Sequence, residues 1–532
     1  MISYPNVFDL SKQAVDKTLE CDVLIVGSGA GGGVAAEILS RAGLSVIIIE
    51  EGPLKTANDF NMLESEAYAE LYQEVASRKT LDQSIQILQG RAVGGSTTVN
   101  WTASFRTPDQ TLNFWQRNFG VSGLDSENLL PWFEWVEKRL NIEPWEIPPN
   151  ANNRLLAEGA ARLGWKHHVI SRNVKGCANL GYCGTGCPLN AKQSMLVTCI
   201  PAALNLGTKL LTRARLESLL FDKERVTGGK VSAMNENGQV AQLNAYQIKA
   251  AHTVLSAGAI GTPAILLRSN FDKKNSAVGK RTMLHPVTAS IAEMSFDVSP
   301  HSGAPQSVYS DEFLWRDGIS GELGYKIEVP PLHPVLASTL LRFHGSWHYE
   351  MMQKFNRLQA NLSLLRDGFH EESQGGRVLL DNYQYPHLDY PISGLLWQSM
   401  KHAMSSMVEL QFAAGAKQVM PLHMDAPLYQ SWNQAKMNIQ HLPAEPLRWQ
   451  VMSAHVMGGC AMGTESDSRS VCDSSGRVYN SDSLSVLDAS LFPTSLGVNP
   501  QLTIYAVVAK LASSLAIRLG GQVPVGNISV EE

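Results

Sequence analysis

The 532-residue chain has no run of 18 uninterrupted apolar residues, and its 17 methionines are spread out, so nothing in it predicts a transmembrane helix. It has no basic stripe either. Lys and Arg occur in ones and twos and the net charge is −5, so a nucleic-acid partner is not expected, while a peripheral membrane contact stays open. The first twenty residues, MISYPNVFDLSKQAVDKTLE, lack the basic start and apolar run of a secretory signal, and the expected location is cytoplasmic. Seven cysteines, an odd number, argue against a disulfide framework and for reduced thiols. No C-x-x-C-H haem motif, HExxH zinc motif, internal repeat or low-complexity segment is present. What remains is ordinary globular composition, 44% hydrophobic and 17% charged, in a chain too long for one compact core.

Residues 22–52, DVLIVGSGAGGGVAAEILSRAGLSVIIIEEG, read as a buried strand, a glycine turn, an amphipathic helix and a second buried strand ending in acid. Gly27, Gly29 and Gly32 match G-x-G-x-x-G: a tight turn, close backbone approach of a pyrophosphate, and close helix–strand packing. The helix N-terminus then faces the phosphates. Glu50, eighteen residues after Gly32, is placed to hydrogen-bond a ribose. The unit predicts a dinucleotide site without separating NAD from FAD.

A second cluster, GRAVGGSTTVNWTASFRT at 90–107, is too rich in glycine for a helix and too small in side chain for a core strand. It suits close approach of the backbone to a large planar ligand. Near the C-terminus, AHVMGGC sets His455 five residues before Cys460. That spacing alone leaves open a metal site, a cysteine with its base, or a histidine working by itself.

Four separated segments, VLIVGSGAGGG with Glu50, GRAVGGSTTVN, SAGAIGTPAILLRS (256–269), and SAHVMGGCAMG with LDASLFPTSLGVNPQLTI, together resemble the glucose-methanol-choline (GMC) oxidoreductases, a family of FAD enzymes. NWTASFRTPDQTLNFW, LHPV, IEVPPLHPVLAS and SAHVMGGCAMG resemble the long-chain fatty alcohol oxidase and dehydrogenase branch. The resemblance implies an α/β fold: a Rossmann-like FAD-binding domain from residues 1–105, 195–295 and 447–532, a connecting segment 106–194 with a Cys-rich loop, and an inserted α+β substrate domain, 296–446, of a sheet covered by helices. Within that insert, SWHYEMMQKFNRLQANLSLLRD and SGLLWQSMKHAMSSMVELQFAAGA both have helical apolar spacing.

The resemblance also implies a reaction: oxidation of a primary alcohol, long-chain or otherwise apolar, to its aldehyde by hydride transfer to the flavin. His455 matches the position of the catalytic base, a task suited to a neutral imidazole. Asn499 matches a position held by His or Asn; an amide cannot take a proton and so orients the alcohol. The cofactor contacts implied are Gly27, Gly29, Gly32, Glu50, Arg91, Gly94, Gly95, Ser96, Asn100, Leu216 beside the adenine, Ala257, Asp488 toward the ribityl or pyrophosphate, Asn499 and Pro500. Some members bind FAD covalently through a histidine just before the asparagine of the second cluster; here that residue is Val99, which implies non-covalent FAD. The segment after SAGAIG closes with Ser269-Asn270 where the family has Ser-Gly, a change asparagine tolerates in a left-handed turn.

Cys177, Cys183 and Cys187 stand as C-x5-C-x3-C. Such thiolates hold an iron–sulfur cluster in some relatives, but three ligands are fewer than the usual four, and a metal-free loop over the flavin is the favoured reading. His344 and His348 have a spacing compatible with a metal but no third ligand, and a structural role is expected. Oxygen, a quinone or a protein carrier remain open as electron acceptors. Two alternatives share the scaffold: a hydroxynitrile lyase, and the catalytic subunit of an iron–sulfur-linked dehydrogenase.

Overall fold

The computed structural model describes residues 5–342 and 344–522, so the outer ends of the expected cofactor domain, 1–4 and 523–532, lie outside the described residues. Two large sheets organise the chain. In the first, Val7–Asp9, Lys209–Thr212, Val46–Glu50, Thr18–Val26 and Val240–Leu255 run parallel in that spatial order, and Leu484–Val486 pairs parallel to Val240–Leu255. Arg225–Met234 and Ala214–Asp222 extend it antiparallel. The parallel strands are near-continuous apolar runs because helices cover them, among them Ala30–Arg41, which packs on the C-terminal helix Gln501–Arg518.

The second sheet runs Ile85–Ile87, Val451–Ser453, Val287–Glu293, Leu358–Leu365, Tyr325–Glu328, Val308–Ser310, His168–Val169, with Gln418–Pro421 also on Val287–Glu293. Its outer face packs on the helices Gly394–Ala413 and Ala151–Leu163. Strands 85–87, 287–293 and 451–453 belong to this sheet although the resemblance places their segments in the cofactor domain. Val287 pairs with Leu364 and Met452, so this strand already belongs to the second sheet.

Of the two stretches expected to be helical, 394–413 is one helix. The other divides: Ser346–Gln353 is helix, but Leu358–Leu365 is a wholly buried strand. Leu358, Ala360, Leu362 and Leu364 alternate with Gln359, Asn361 and Ser363, a period of two that a helical template overlooks. The interposed Gln359 amide is paired inside the protein, Gln411 Nε2 donating to Gln359 Oε1 at 2.8 Å and Gln359 Nε2 to Asn361 Oδ1 at 2.8 Å.

Candidate functional site

The glycine turn follows the strand Thr18–Val26, and its three glycines are not equivalent. Gly27 has φ +98°, and a Cβ there would lie 2.4 Å from Ser256 O; a Cβ on Gly32 would lie 1.9 Å from Gly27 O. The protein's own backbone excludes side chains at both. At Gly29 (φ −70°, ψ −159°) the nearest atom to an added Cβ is Gly95 Cα at 3.8 Å. Gly29 therefore faces open space beside the second glycine cluster, whose Gly95 would place a Cβ only 2.8 Å from Gly29 Cα. Ser28 links the two segments: its hydroxyl donates to Glu50 Oε2 (2.6 Å) and accepts from Gly94 N–H (3.0 Å). The helix Ala30–Arg41 starts without a side-chain cap and without an acidic residue in its first turn, so its N-terminal N–H groups suit an anion. Open glycine, close second cluster and uncapped helix end fit a pyrophosphate.

Glu50 ends its strand as expected, with its carboxylate already accepting from Ser28 N (3.0 Å) and Gly52 N (2.9 Å); burial raises its pKa. The other cofactor candidates lie in the loops around this turn, and several are anchored within the chain. Arg91 donates to Gly238 O at 2.9 Å and pairs with Glu51 at 3.0 Å. Ser96 Oγ accepts from Gly90 N at 2.9 Å. Asn100 Nδ2 donates to Gln501 Oε1 at 2.6 Å. Leu216 is buried, its carbonyl accepting from Arg268 at 3.0 Å. Ala257 precedes the helix Gly258–Arg268, and its N–H donates to Thr262 Oγ1 at 3.0 Å. Asp488 accepts from Gly258 N (2.8 Å), Thr262 Oγ1 (2.6 Å) and Ser490 N (2.8 Å), which makes it a fixed brace at that helix start. Pro500 is the N-cap of Gln501–Arg518.

His455 follows the strand Val451–Ser453 and meets a second histidine, His285, Nδ1 to Nδ1 at 3.3 Å. His285 holds a left-handed backbone, φ +47°, unusual for a residue with a Cβ. The Asp367 carboxylate holds it there, accepting from Leu284 N (2.9 Å), His285 N (3.1 Å) and the Tyr390 hydroxyl (2.7 Å). Gly497 N–H donates to His285 Nε2 at 3.0 Å, which ties His455 to the loop carrying Asn499. It also sets the tautomers. With Nε2 accepting, neutral His285 carries its proton on Nδ1, facing His455 Nδ1, and His455 then bears its proton on Nε2. Burial, and after it the Lys326 ammonium, push the His455 pKa down to about 3; burial first and His455 second hold His285 well below its usual range. Both imidazoles are neutral at working pH.

Asn499 is gripped by residues that sequence reading did not single out. Lys326 Nζ donates to Asn499 Oδ1 at 2.6 Å and pairs with Glu328 Oε1 at 2.7 Å, both side chains fully buried. Asn499 Nδ2 donates to Glu328 Oε2 at 3.2 Å, and Gln306 Nε2 donates to the same oxygen at 2.5 Å. The available signal was YKIEV, where two charged residues share one face of an otherwise apolar strand. His285 was visible only inside LHPV.

Cys177, Cys183 and Cys187 are unpaired and partly exposed. Arg172 reaches Cys183 Sγ at 3.7 Å, and the buried Lys192 donates to Thr98 O (2.6 Å), Asn100 O (3.0 Å) and Cys183 O (2.7 Å), tying this loop to the second glycine cluster. Among the described residues no group of three His, Cys, Asp or Glu is arranged to hold a metal ion. His344 precedes the helix Ser346–Gln353, and His348 Nε2 lies 3.0 Å from Ser338 O. Cys460 is buried, and burial raises its thiol well above the usual range, which keeps it from acting as a thiolate.

Comparison with known proteins agrees with this geometry. The GMC oxidoreductase family matches residues 68–287 and 372–508, more than half the chain, and an FAD-binding domain matches 20–58. Two long-chain-alcohol oxidases of Arabidopsis thaliana are similar: one 28% identical over 510 residues, covering 92% of this chain and 67% of its own length, the other 29% over 532 residues, covering 93% and 68%. Among solved structures, a formate oxidase superposes with TM-score 0.71 at 15% identity, covering 95% of this chain and all of its own, and pyridoxine 4-oxidase from Mesorbium loti with TM-score 0.68 at 17%, covering 93% and 99%. These two share the fold.

Proposed function

Because this chain belongs to the GMC oxidoreductase family and is an FAD-dependent oxidoreductase acting on CH–OH donors, we propose that its substrate is a primary alcohol with a long or otherwise apolar chain, oxidised to the aldehyde. The observation that carries the substrate class is the inner face of the second sheet. Val287, Ala289, Ile291, Leu362, Leu364 and Met420 point to one side, where Leu332, Ala337, Leu341 and Met351 from segment 332–351 roof them. Trp101, from the second glycine cluster, and Met452, three residues before His455, pack against the same cluster.

FAD, when bound, supplies the two-electron acceptor for the carbinol hydride. The chain's part is to bind the alkyl chain, orient the hydroxyl and take its proton. Asn499 offers an N–H to the alcohol oxygen. His455 takes the hydroxyl proton on Nε2, which requires that its own ring proton sit on Nδ1. His285 accommodates that arrangement by carrying its proton on Nε2 and giving up the Gly497 bond. The pair thus has a resting state, in which His455 donates, and an active one, in which it accepts. His455 is neutral at working pH and so has an imidazole nitrogen free to accept that proton.

Catalytic efficiency should rise with alcohol length by up to about 0.8 kcal/mol per buried methylene, roughly fourfold each, until the apolar layer is filled. Steady-state rates for the primary alcohols from butanol to hexadecanol measure it. Glucose turning over faster than decanol would reject the substrate class. Bleaching of the flavin by alcohol under anaerobic conditions separates oxidation from a lyase reaction, which leaves the flavin oxidised.

We further propose that the FAD is held without a covalent bond, since Val99, a buried residue with no nucleophilic atom, occupies the linkage position. Acid precipitation should leave a yellow supernatant and a colourless pellet; a yellow pellet would reject this.

A further inference from the structure

The reaction as proposed does not need Lys326, Glu328 or Gln306, yet all three are buried beside Asn499. Glu328 receives Lys326 on one oxygen and Gln306 and Asn499 on the other. Lys326 spends its three N–H groups on Glu328, on Asn499 and on the face of Phe105, whose centroid lies 3.4 Å from Nζ. Ammonium and carboxylate so placed are an ionised pair, and a buried ionised pair is harder to keep than an apolar pair of the same volume. The strand Tyr325–Glu328 accommodates it by turning Tyr325 and Ile327 to the helix-covered core and Lys326 and Glu328 to the site.

An ammonium can only donate, so the Asn499 atom it touches is the oxygen; a carboxylate can only accept, so the atom facing Glu328 is the amide nitrogen. The pair leaves the amide a single orientation and a single unspent group, the second N–H of Nδ2. We infer that Lys326 and Glu328 form a clamp that compels Asn499 to present only an N–H to the substrate oxygen, which makes Lys326 a positioning residue for alcohol oxidation. An amide free to flip would present its carbonyl half the time, and a carbonyl opposes the negative charge that grows on the oxygen as its proton leaves. The Lys326 bond to Oδ1 also polarises the amide and strengthens the remaining donor. This inference rests on the proposed alcohol oxidation.

The experiment is a double-mutant cycle on the FAD-bound protein, reading the saturating rate of anaerobic flavin reduction by 1-dodecanol. Lys326→Met with Glu328→Gln replaces the ion pair by a neutral one that accepts either amide orientation; Asn499→Ala removes the amide. In the wild-type background the paired substitution should lower the rate by about 10²-fold, the order of effect of losing one aimed donor, with little change in the half-saturating alcohol concentration. In the Asn499→Ala background it should cost less than about threefold, because the residue it acts through is gone. The same factor in both backgrounds, or no loss in the first, overturns the clamp. If no alcohol of any length reduces the wild-type flavin, the functional proposal falls instead, and thermal unfolding of the same four proteins decides the clamp: non-additive shifts support it and additive shifts overturn it.

Discussion

In His455→Ala, flavin reduction by a long-chain alcohol is expected to be slower by about 10²- to 10⁴-fold, the usual contribution of a positioned acid–base group, with the flavin still bound. The phosphate and ribose candidates, Gly29, Glu50 and the start of the helix Ala30–Arg41, belong to a different sheet and touch nothing in the histidine pair. Anaerobic stopped-flow measurement gives the rate, and absorbance gives the flavin content. The pH dependence follows from burial. Because burial and the Lys326 charge hold the His455 pKa at about 3, the imidazole is neutral from pH 5 to 8, and the wild-type rate should show no rise through 6.5 from this residue. The stability consequence has a definite sign. The folded pKa lies below the unfolded value of about 6.5, so as pH falls from 6.5 toward 3 the unfolded chain binds the proton first and stability declines. His455→Ala should flatten part of that decline. Flavin reduction at near wild-type speed in the variant would place the base elsewhere.

The cofactor half of the site was legible because its chemistry is local. Strand, glycine turn, helix and terminal acid lie within 22–52, and each residue's role follows from its neighbours in sequence; SAGAIGTPAILLRS likewise follows directly on the strand Val240–Leu255 and forms the helix Gly258–Arg268. The substrate half depends on contacts made across hundreds of residues. Lys326 and Glu328 alternate with apolar residues, which in an antiparallel strand ordinarily marks a solvent face. Only the return of the chain at 497–499 converts that face into the inside of a site. Similarly, nothing near LHPV announces a strained backbone at His285, because Asp367 and Tyr390, which hold it, lie 82 and 105 positions away.

The strand at 358–365, which has helical apolar spacing in the sequence, was hidden for a related reason. Leu358–Leu365 is buried on both faces, with Gln359 paired inside the protein, and the alternation looks weak beside a helical count. The assignment of strands 85–87, 287–293 and 451–453 follows their pairing partners, and pairing over such separations leaves no local trace.

Two substitutions in the first glycine turn should part folding from cofactor binding, although the motif presents its glycines as equals. A methyl group on Gly32 would sit 1.9 Å from Gly27 O, a backbone atom that can retreat only by opening the turn. Gly32→Ala should therefore melt at lower temperature and accumulate poorly, the response of an overpacked core, with flavin lost as a consequence. A methyl group on Gly29 meets only Gly95 Cα, at an ordinary contact distance of 3.8 Å, and the backbone there (φ −70°, ψ −159°) suits alanine. Nothing in the protein requires that position to be bare. The space is kept for an anion at the N–H groups that open the helix Ala30–Arg41, and a methyl group there holds the pyrophosphate away from them. Losing one such charge-assisted contact costs about 1.5–3 kcal/mol, so FAD should bind roughly 10- to 10²-fold more weakly to Gly29→Ala. Flavin-stripped Gly29→Ala should nonetheless melt within a degree or two of the flavin-stripped wild type, since a substitution that strains nothing changes stability by about 0.5 kcal/mol or less. Titration of the stripped proteins with FAD, followed by fluorescence quenching, measures the first quantity and circular dichroism the second. Wild-type FAD affinity in Gly29→Ala would remove the pyrophosphate from this turn. A large fall in its flavin-free melting temperature would show that the protein itself needed the glycine.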